Sequence, residues 1–319
     1  MALAARTGAW AKSDSPTPSA YGGLRFTAES ANSSVQLTAV GTPPAVTLVK
    51  SFDGVNWEDY TVGEVIDLQR IGDFVYLAAG EGGNNAFGAS ENAYHKFVIN
   101  GLVASSGDIT SILNFDCAQT ALAKYCYIFM FRGCTGLTSA PELPATTLTD
   151  YCYDYMFDGC TGLTSAPELP ATTLNNYCYR YMFRRCTGLT SAPELPATTL
   201  ATACYNSMFY GCTGLTSAPE LPATTLAAAC YNSMFDGCTG LTSAPELPAT
   251  TLATNCYSSM FYGCKNISII KIHFTLWNKS SNGWVNEVAS TGTFYKPTAL
   301  PEEYGTSKIP TGWTVVNID

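Results

Sequence analysis

The sequence predicts a β-rich protein with short helices, in which an N-terminal β-sandwich is followed by a solenoid of about six coils and a C-terminal cap. Three observations support this prediction. A 26-residue unit recurs through the second half of the chain, short segments of alternating polarity precede it, and an aromatic-rich segment without the repeat follows it. One unit of this length cannot bury its apolar face alone, but stacked neighbours bury it together.

The repeat is defined by invariant residues. The string LTSAPELPATTL occurs five times unchanged, first at Leu137. Two series of cysteines also recur every 26 residues: Cys126, Cys152, Cys178, Cys204, Cys230 and Cys256, and Cys134, Cys160, Cys186, Cys212, Cys238 and Cys264. Within one unit, Leu148, Cys152, Met156 and Cys160 are four residues apart, which predicts one face of a short helix. Each coil is therefore predicted to contain a short strand, a turn and a short helix.

Stacking of the coils should align equivalent residues in columns. Cysteines eight residues apart on one helix would be about 12 Å apart, too far for a disulfide, and their spacing matches no structural zinc site. We expect ladders of buried thiols that pack as small hydrophobic groups. Five glutamates should form another column, either extending into water or binding calcium or a cationic partner. These are Glu142, Glu168, Glu194, Glu220 and Glu246.

The flanks of the repeat suggest three further regions. Residues 1–21 are rich in Ala, Ser and Pro and are typical of an arm or linker. Residues 22–105 contain short alternating segments, which predict an Ig-like β-sandwich: 24–28, 35–40, 46–52, 62–68, 74–77 and 97–103. We assign 106–272 to the solenoid, with 109–125 as a degenerate first coil that includes the thirteenth cysteine, Cys117, and 273–319 to the C-terminal cap.

The differences between the copies are confined to a few positions near the predicted helix. We expect these positions to face solvent, where neutral drift and ligand recognition are equally consistent with the variation. Tyr, Asn, Asp, Ser and Arg, which occur there, are common at recognition sites. The candidate ligand-binding residues are Asp150, Asp154, Tyr155, Asp158, Asn176, Arg180, Tyr181, Arg184, Asn206, Tyr210, Asn232, Asp236 and Tyr262.

The composition excludes several function classes. The net charge is −9, and residues 135–263 contain only three basic side chains, so we expect no nucleic-acid partner. No segment has the length and apolarity of a membrane helix, and residues 1–13 lack the pattern of a signal peptide. The two histidines, His95 and His273, lie in no catalytic or metal-binding motif. We therefore expect neither enzymatic activity, nor a cofactor, nor a bound metal.

The motif Met156-Phe157-Asp158-Gly159-Cys160 followed by TGLTSAPEL, repeated with variations, resembles the 26-residue repeat of bacterial surface proteins, a BspA-like leucine-rich repeat. The resemblance covers 126–272. The flanks SFDGVNWEDYTVG (51–63) and GTFYKP…IPTGWTVVN (292–317) are similar to segments that accompany these repeats in gut bacteria and their phages.

This resemblance implies a leucine-rich-repeat-type solenoid without catalytic residues that binds host molecules or cells. Together with the expected lack of a signal peptide, it favours a virion protein that attaches to a host-cell protein or glycan. Its N-terminal domain would dock to other virion proteins, and it could form a homo-oligomer. The alternatives are a bacterial cell-surface adhesin, a structural decoration protein and a glycan depolymerase.

Overall fold

A computed structural model describes residues 21–117 and 121–318, so almost all of the predicted arm (1–21) lies outside the described residues. Residues 25–106 form nine strands, β1 to β9. They are Arg25–Ala28, Ser33–Val40, Leu48–Ser51, Glu58–Tyr60, Val65–Leu68, Phe74–Ala79, Gly88–Ser90, Ala93–Asn100 and Val103–Ser106. Two 3₁₀ turns, Ile109–Ile112 and Lys279–Ser281, are the only helical elements among the described residues.

The nine strands form two sheets. One has the order β9-β1-β6-β3-β4 and is extended beyond β9 by β10 (Leu137–Ser139); the other has the order β5-β2-β8-β7. The pairs within β1 to β9 are all antiparallel. Phe26 of the first sheet contacts Phe97 of the second edge to face, with 4.9 Å between ring centroids. The two sheets therefore pack face to face, while the finer Ig-like assignment stays a prediction.

Six coils follow, which we number by their 26 residues: 123–148, 149–174, 175–200, 201–226, 227–252 and 253–278. The predicted short helix is wrong in every one of them. From Tyr151 onward in coil 2, every fourth residue has a left-handed backbone conformation: φ is 59° at Tyr151, 55° at Tyr155 and 76° at Gly159. Each such residue interrupts a right-handed helix. The four-residue spacing of Cys152 and Met156 thus reflects successive tight turns.

Backbone hydrogen bonds explain how these turns stack. Asp154 N donates to Tyr151 O (3.3 Å) within coil 2, whereas Tyr153 N donates to Cys178 O (3.0 Å) in coil 3. Donors alternate in this way along the turn segment of each coil. Half of the amide groups therefore close turns, and half join one coil to the next. The predicted strand is formed in coil 1, as β10, and in coil 6. The described residues of coils 2 to 5 form only isolated parallel bridges, such as those of Ser191 with Ser217 and of Thr199 with Thr225.

Stacking produces buried ladders that run through all six coils. Neighbouring rings in the tyrosine ladder are 5.7–6.2 Å apart, and those in the phenylalanine ladder 5.4–5.9 Å apart. The ladders consist of Tyr127, Tyr153, Tyr179, Tyr205, Tyr231 and Tyr257, and of Phe131, Phe157, Phe183, Phe209, Phe235 and Phe261. These rings bury much of the apolar surface that stabilises the stack.

The N-terminal sheets cover the first coil. Phe97 N donates to Met130 O (2.7 Å), Phe97 stacks on Phe131 at 5.1 Å, and β9 pairs in parallel with β10. The hydrophobic core is consequently continuous from Leu24 in the sheets to the last coil and beyond. The N-terminal region thus serves as the cap that a stack of repeats requires at its end.

At the other end the stack continues after the 26-residue period is lost. Strands β11 (Ile269–Lys271), β12 (Thr293–Pro297) and β13 (Thr314–Ile318) form a parallel sheet. Phe261 N donates to Trp284 O (2.8 Å), and the buried Trp284 ring lies against Tyr257 and Phe261. Residues 279–318 thus form shorter, irregular coils whose large indole fills the end of the core.

Candidate recognition surface

All sequence differences among coils 2 to 5 fall in one part of the coil. In coil 2 these positions are 149–151, 154–155 and 158–159, and the equivalents recur every 26 residues. They are the left-handed residues and the one or two residues before each of them. The corners of the tight turns therefore carry the variation, and we call this surface the variable face.

Aromatic ladders lie on the first half of the variable face. Tyr125, Tyr151 and Tyr177 stack at 5.0 and 4.7 Å. A second ladder begins on the N-terminal sheet and contains Tyr94, Phe129, Tyr155 and Tyr181, with ring separations of 4.6, 5.2 and 4.4 Å. Neither continues into coil 4, where the equivalent residues are Ala203 and Ser207.

Arg180 connects the two surface ladders. Its guanidinium carbon lies 5.0–5.6 Å from the ring centroids of four tyrosines, two from each ladder: Tyr151, Tyr155, Tyr177 and Tyr181. Arg180 also donates two hydrogen bonds to Asp154 (3.0 and 2.7 Å) and one to Glu91 (2.6 Å). Because Glu91 lies between β7 and β8, this cation also fastens the N-terminal sheet to coil 3.

Burial dominates the electrostatics of Asp154. Its side chain is inaccessible to solvent, and this burial raises its pKa to about 7 against the opposing effect of Arg180. The carboxylates in turn raise the pKa of Arg180, so the guanidinium stays charged. Because the buried Asp154 carboxyl group is paired with Arg180, the charged cluster depends on this arginine.

A second charged cluster lies beside the first. Asp158 accepts hydrogen bonds from Arg132 of coil 1 (3.2 Å) and from Arg184 of coil 3 (2.8 and 3.0 Å). The Arg184 guanidinium carbon also lies 5.1 Å and 5.2 Å from the rings of Tyr155 and Tyr181. Side chains from three successive coils thus alternate in charge as Arg, Asp, Arg.

The second half of the variable face has a different character. Asn206 and Asn232 replace Arg180, and Ala or Ser occupies the ladder positions of coils 4 and 5. Asp236 forms no ion pair among the described residues; its half-burial and the nearby Glu287 raise its pKa to about 6. Tyr262 is 37% exposed and donates to Glu287 (3.4 Å). This half presents amides, hydroxyls and small side chains.

The structure brings the predicted site residues onto one face, but not all of them face solvent. Asp154 and Asp158 have relative accessibilities of 0% and 5%, so their expected exposure is wrong. Burial follows from their ion pairs, which seat each carboxylate under arginines of the next coil. The other predicted residues are half-buried, except the exposed Tyr262. Whether they bind a ligand stays a prediction.

Several members of the arrangement were not predicted. Tyr151 and Tyr177 were not among the candidate residues, although they vary between coils in the same way as Tyr155. That variation, from Tyr in coils 1 to 3 to Ala in coils 4 and 5, could have identified both tyrosines as candidates. Glu91 and Tyr94 could not have been found, because only folding brings the β7–β8 turn beside coil 3.

The cysteine columns are buried as predicted. All twelve cysteines of the two series lie in the core, and every described cysteine is a free thiol. In one column each thiol after the first donates to a phenylalanine carbonyl of the preceding coil, as Cys160 does to Phe131 O (3.0 Å). Burial raises the pKa of Cys126 and Cys212 to about 12, so these thiols are neutral at physiological pH.

The glutamate column is exposed, in agreement with the first of its two interpretations. Glu246, the last member, pairs with Lys271 (2.9 Å) and His273 (2.6 Å), which lower its pKa. Within the described residues no group of three or more His, Cys, Asp or Glu side chains is arranged to hold a metal ion. The calcium-binding alternative thus has no support from the geometry.

A family model, the BspA type leucine rich repeat region, matches residues 123–242 and 202–283 with six copies. The chain belongs to this family. The match extends over half of the chain and includes all six coils. No curated protein and no solved structure matches the chain.

BspA-type repeats are commonly surface-adhesion modules, and leucine-rich repeats of this kind are typically interaction modules without enzymatic activity. Among the described residues, no helix is long and apolar enough to span a bilayer. Interaction modules act through their surfaces, so the surface of the stack is the part of the molecule to consider for function.

Proposed function

We propose that this BspA-type protein is a non-enzymatic virion protein that attaches to a host cell through the variable face of its solenoid. The observation that carries the proposal is the confinement of all differences among coils 2 to 5 to that face. The backbone tolerates Tyr, Ala, Ser and Asn at the same left-handed positions, so folding does not require the particular side chains found there.

The composition of the face supports recognition. Tyrosine provides a large, rigid contact area at low entropic cost, and asparagine and serine provide adaptable hydrogen bonds. The face carries these residue types in a different combination in nearly every coil, as expected of a surface that contacts an extended partner.

The N-terminal region is proposed to dock to the particle. Its two sheets cover one end of the stack, which leaves the outer surface of these sheets available to another virion protein. The similarity of segments 51–63 and 292–317 to those that accompany such repeats in phages of gut bacteria supports this location. An adhesin of the bacterial cell surface is the alternative location.

Binding of the fluorescently labelled full-length protein to a panel of intact gut-bacterial strains tests the attachment function. We expect saturable binding to some strains and none to others. A triple variant of the variable face, Tyr210→Ala with Asn232→Ala and Tyr262→Ala, should reduce this binding. The matched control changes three exposed glutamates of the invariant segment, Glu168→Gln with Glu194→Gln and Glu220→Gln, and should bind normally.

Two results would contradict the proposal. Absence of binding to every strain by the folded, monodisperse protein would indicate a structural role. Release of reducing sugar from the cells would instead indicate a depolymerase. Peptide mass spectrometry of purified phage particles and of bacterial envelopes decides the location, because the protein should be found in the particles.

A further inference from the structure

Resting on the proposed attachment function, we infer that the step between coils 3 and 4 of the variable face is a binding site for an uncharged hexose unit of a surface glycan. The step is the place where both surface ladders end. Tyr177 and Tyr181 are the last rings, and the next coil has only a methyl group at Ala203 and a hydroxymethyl group at Ser207. Both small side chains are buried, so neither projects from the surface as a ring would.

The interruption is a property of side chains and not of the backbone. Tyr181 N donates to Asn206 O (2.9 Å), as Tyr155 N donates to Arg180 O (2.9 Å) one coil earlier. The buried tyrosine ladder also crosses the same level without a break, from Tyr179 to Tyr205 at 5.7 Å. Coil 4 therefore stacks normally, and only the surface rings are absent. In the inferred site, the ligand takes the position that one further ring would occupy in each ladder.

The terminal rings are held rigidly. Tyr177 and Tyr181 each stack on a ring of coil 2, at 4.7 Å and 4.4 Å, and both lie against the Arg180 guanidinium. Asp154 and Glu91 hold that guanidinium in place. A ligand that stacks on these rings would not have to immobilise them, which lowers the entropic cost of binding.

Polar groups beside the rings fit hydroxyl groups. The Asn206 side-chain oxygen accepts from Ser207 (3.0 Å), and its amide NH₂ group donates to no described residue. The side chain of Asn232, one coil further on, likewise makes no hydrogen bond with the described residues. An amide both donates and accepts, and so can bind neighbouring sugar hydroxyls.

Charge favours an uncharged ligand. Arg180 and Arg184, the cations nearest the rings, are each paired with a buried carboxylate. A strong anion would have to compete with Asp154 and Asp158 for these arginines. A pyranose has an apolar C–H face that stacks on an aromatic ring and an edge of hydroxyls for the amides. Flat apolar contact with a few directed polar groups is the usual design of a small-ligand site.

The experiment compares the full-length protein with a variant in which coil 3 copies coil 4 at the ladder ends, Tyr177→Ala with Tyr181→Ser. Alanine and serine occupy the equivalent left-handed positions at Ala203 and Ser207, so the backbone accepts them. Binding is measured on a glycan array, and the oligosaccharides that bind there are then titrated by calorimetry. Loss of two stacking contacts should weaken the Kd by about tenfold or more, and Asn206→Ala by a smaller factor.

Tyr304→Ala is the matched control, because this exposed tyrosine lies in the C-terminal segment, outside the variable face. It should leave the oligosaccharide Kd unchanged. Circular dichroism confirms that the Tyr177→Ala, Tyr181→Ser variant is folded. If that folded variant binds the same oligosaccharides as strongly as the original protein, the inferred site is wrong.

Cells treated with periodate separate the inference from the proposed function. Periodate cleaves vicinal diols of glycans, so binding to susceptible strains should fall to background, whereas protease treatment should leave it intact. Strain-specific binding that survives periodate would retain the attachment function and overturn the glycan site. Binding to acidic glycans alone, if it is lost in the Arg185→Ala variant, would show that the ligand is charged and would contradict the inferred uncharged hexose. Absence of binding to any strain would instead refute the attachment function itself.

Discussion

The two halves of the variable face share one backbone and differ in what they present. In coils 1 to 3 the left-handed turn positions carry stacked aromatic rings, with buried ion pairs between them. In coils 4 to 6 the same positions carry Ala, Ser or Asn, and the ion pairs are replaced by amides and hydroxyls. The hydrogen bonds between coils are equivalent in both halves. The rings and charges are therefore additions to a stack that forms without them.

The largest expected effect comes from making the first half resemble the second at one position. Arg180→Asn removes the cation and the two hydrogen bonds of the inaccessible Asp154 carboxyl group, which then keeps its proton; this should lower the free energy of unfolding by about 2–3 kcal/mol. Adding Asp154→Asn should recover most of this loss, because Asn206 and Asn232 already stack in this way in coils 4 and 5. Urea denaturation followed by circular dichroism measures both changes.

Asn232→Ala in the second half is the control for this pair and should cost less than about 1 kcal/mol. Equal losses from Arg180→Asn and Asn232→Ala would show that the two halves do not differ energetically. A double variant no more stable than Arg180→Asn alone would show that the ion pair is not the cause.

The next effect concerns a difference in backbone strain. Arg185 has φ of 59° where the five other coils have glycine, at Gly133, Gly159, Gly211, Gly237 and Gly263. A left-handed residue with a side chain costs about 1–2 kcal/mol, so Arg185→Gly should stabilise the protein by about 1 kcal/mol. The reciprocal change, Gly211→Ala, should destabilise it by a similar amount. Thermal unfolding compares the two, and a lower melting temperature for Arg185→Gly would contradict the account.

The smallest effect depends on pH and lies in the second half. The folded-state pKa of Asp236 is raised to about 6 from an ordinary 3.8, so the folded state binds a proton more tightly than the unfolded state. The contribution of Asp236 is thus most favourable at low pH and becomes a penalty as the pH rises through the folded-state pKa. Asp236→Asn should stabilise the protein above this pKa by less than about 1 kcal/mol, given the partial exposure.

Urea denaturation at about pH 8 and about pH 4 measures this difference. The advantage of Asp236→Asn should be present at the higher pH and should disappear at the lower one. Glu287→Gln, which removes the neighbouring charge, should give a similar but weaker trend. A stabilisation that does not vary with pH would show that titration of Asp236 is not the cause.

The sequence predicted the repeat, the stacking and the buried columns, because invariant residues at a fixed period are typical of units that pack against copies of themselves. The coil itself was mispredicted. A four-residue spacing of apolar side chains fits both a helix and successive tight turns, and Tyr151 and Tyr155 gave no sign of left-handed backbone, which glycine usually provides. In the N-terminal region, the predicted segment 97–103 is divided between β8 and β9 by the turn at Gly101, whose φ is 74°.

The candidate site was predicted only in outline. Positions that differ between otherwise identical coils revealed the variable face, but not which of its residues are exposed. Asp154 and Asp158 were expected in solvent because their positions differ between the copies. Their burial depends on arginines 26 residues further along the chain, a relation that becomes visible only when neighbouring coils are superposed.

The alternating charges of coils 1 to 3 also determine which coil can follow which. Coils 4 and 5 differ only at residues 202 and 210 and their equivalents. Because such similar coils are interchangeable, one of them could be skipped when the stack forms, and its neighbours would still pair. Omitting coil 3 would instead place Asp154 beside Asn206, without its cation, and Asp158 beside Tyr210, with Arg132 of coil 1 as its remaining cation. The charged end thus fixes the order of assembly, and the neutral end is where the array can lengthen. We expect a chain with coil 5 duplicated to fold with unchanged urea resistance, and one with coil 2 duplicated to lose stability.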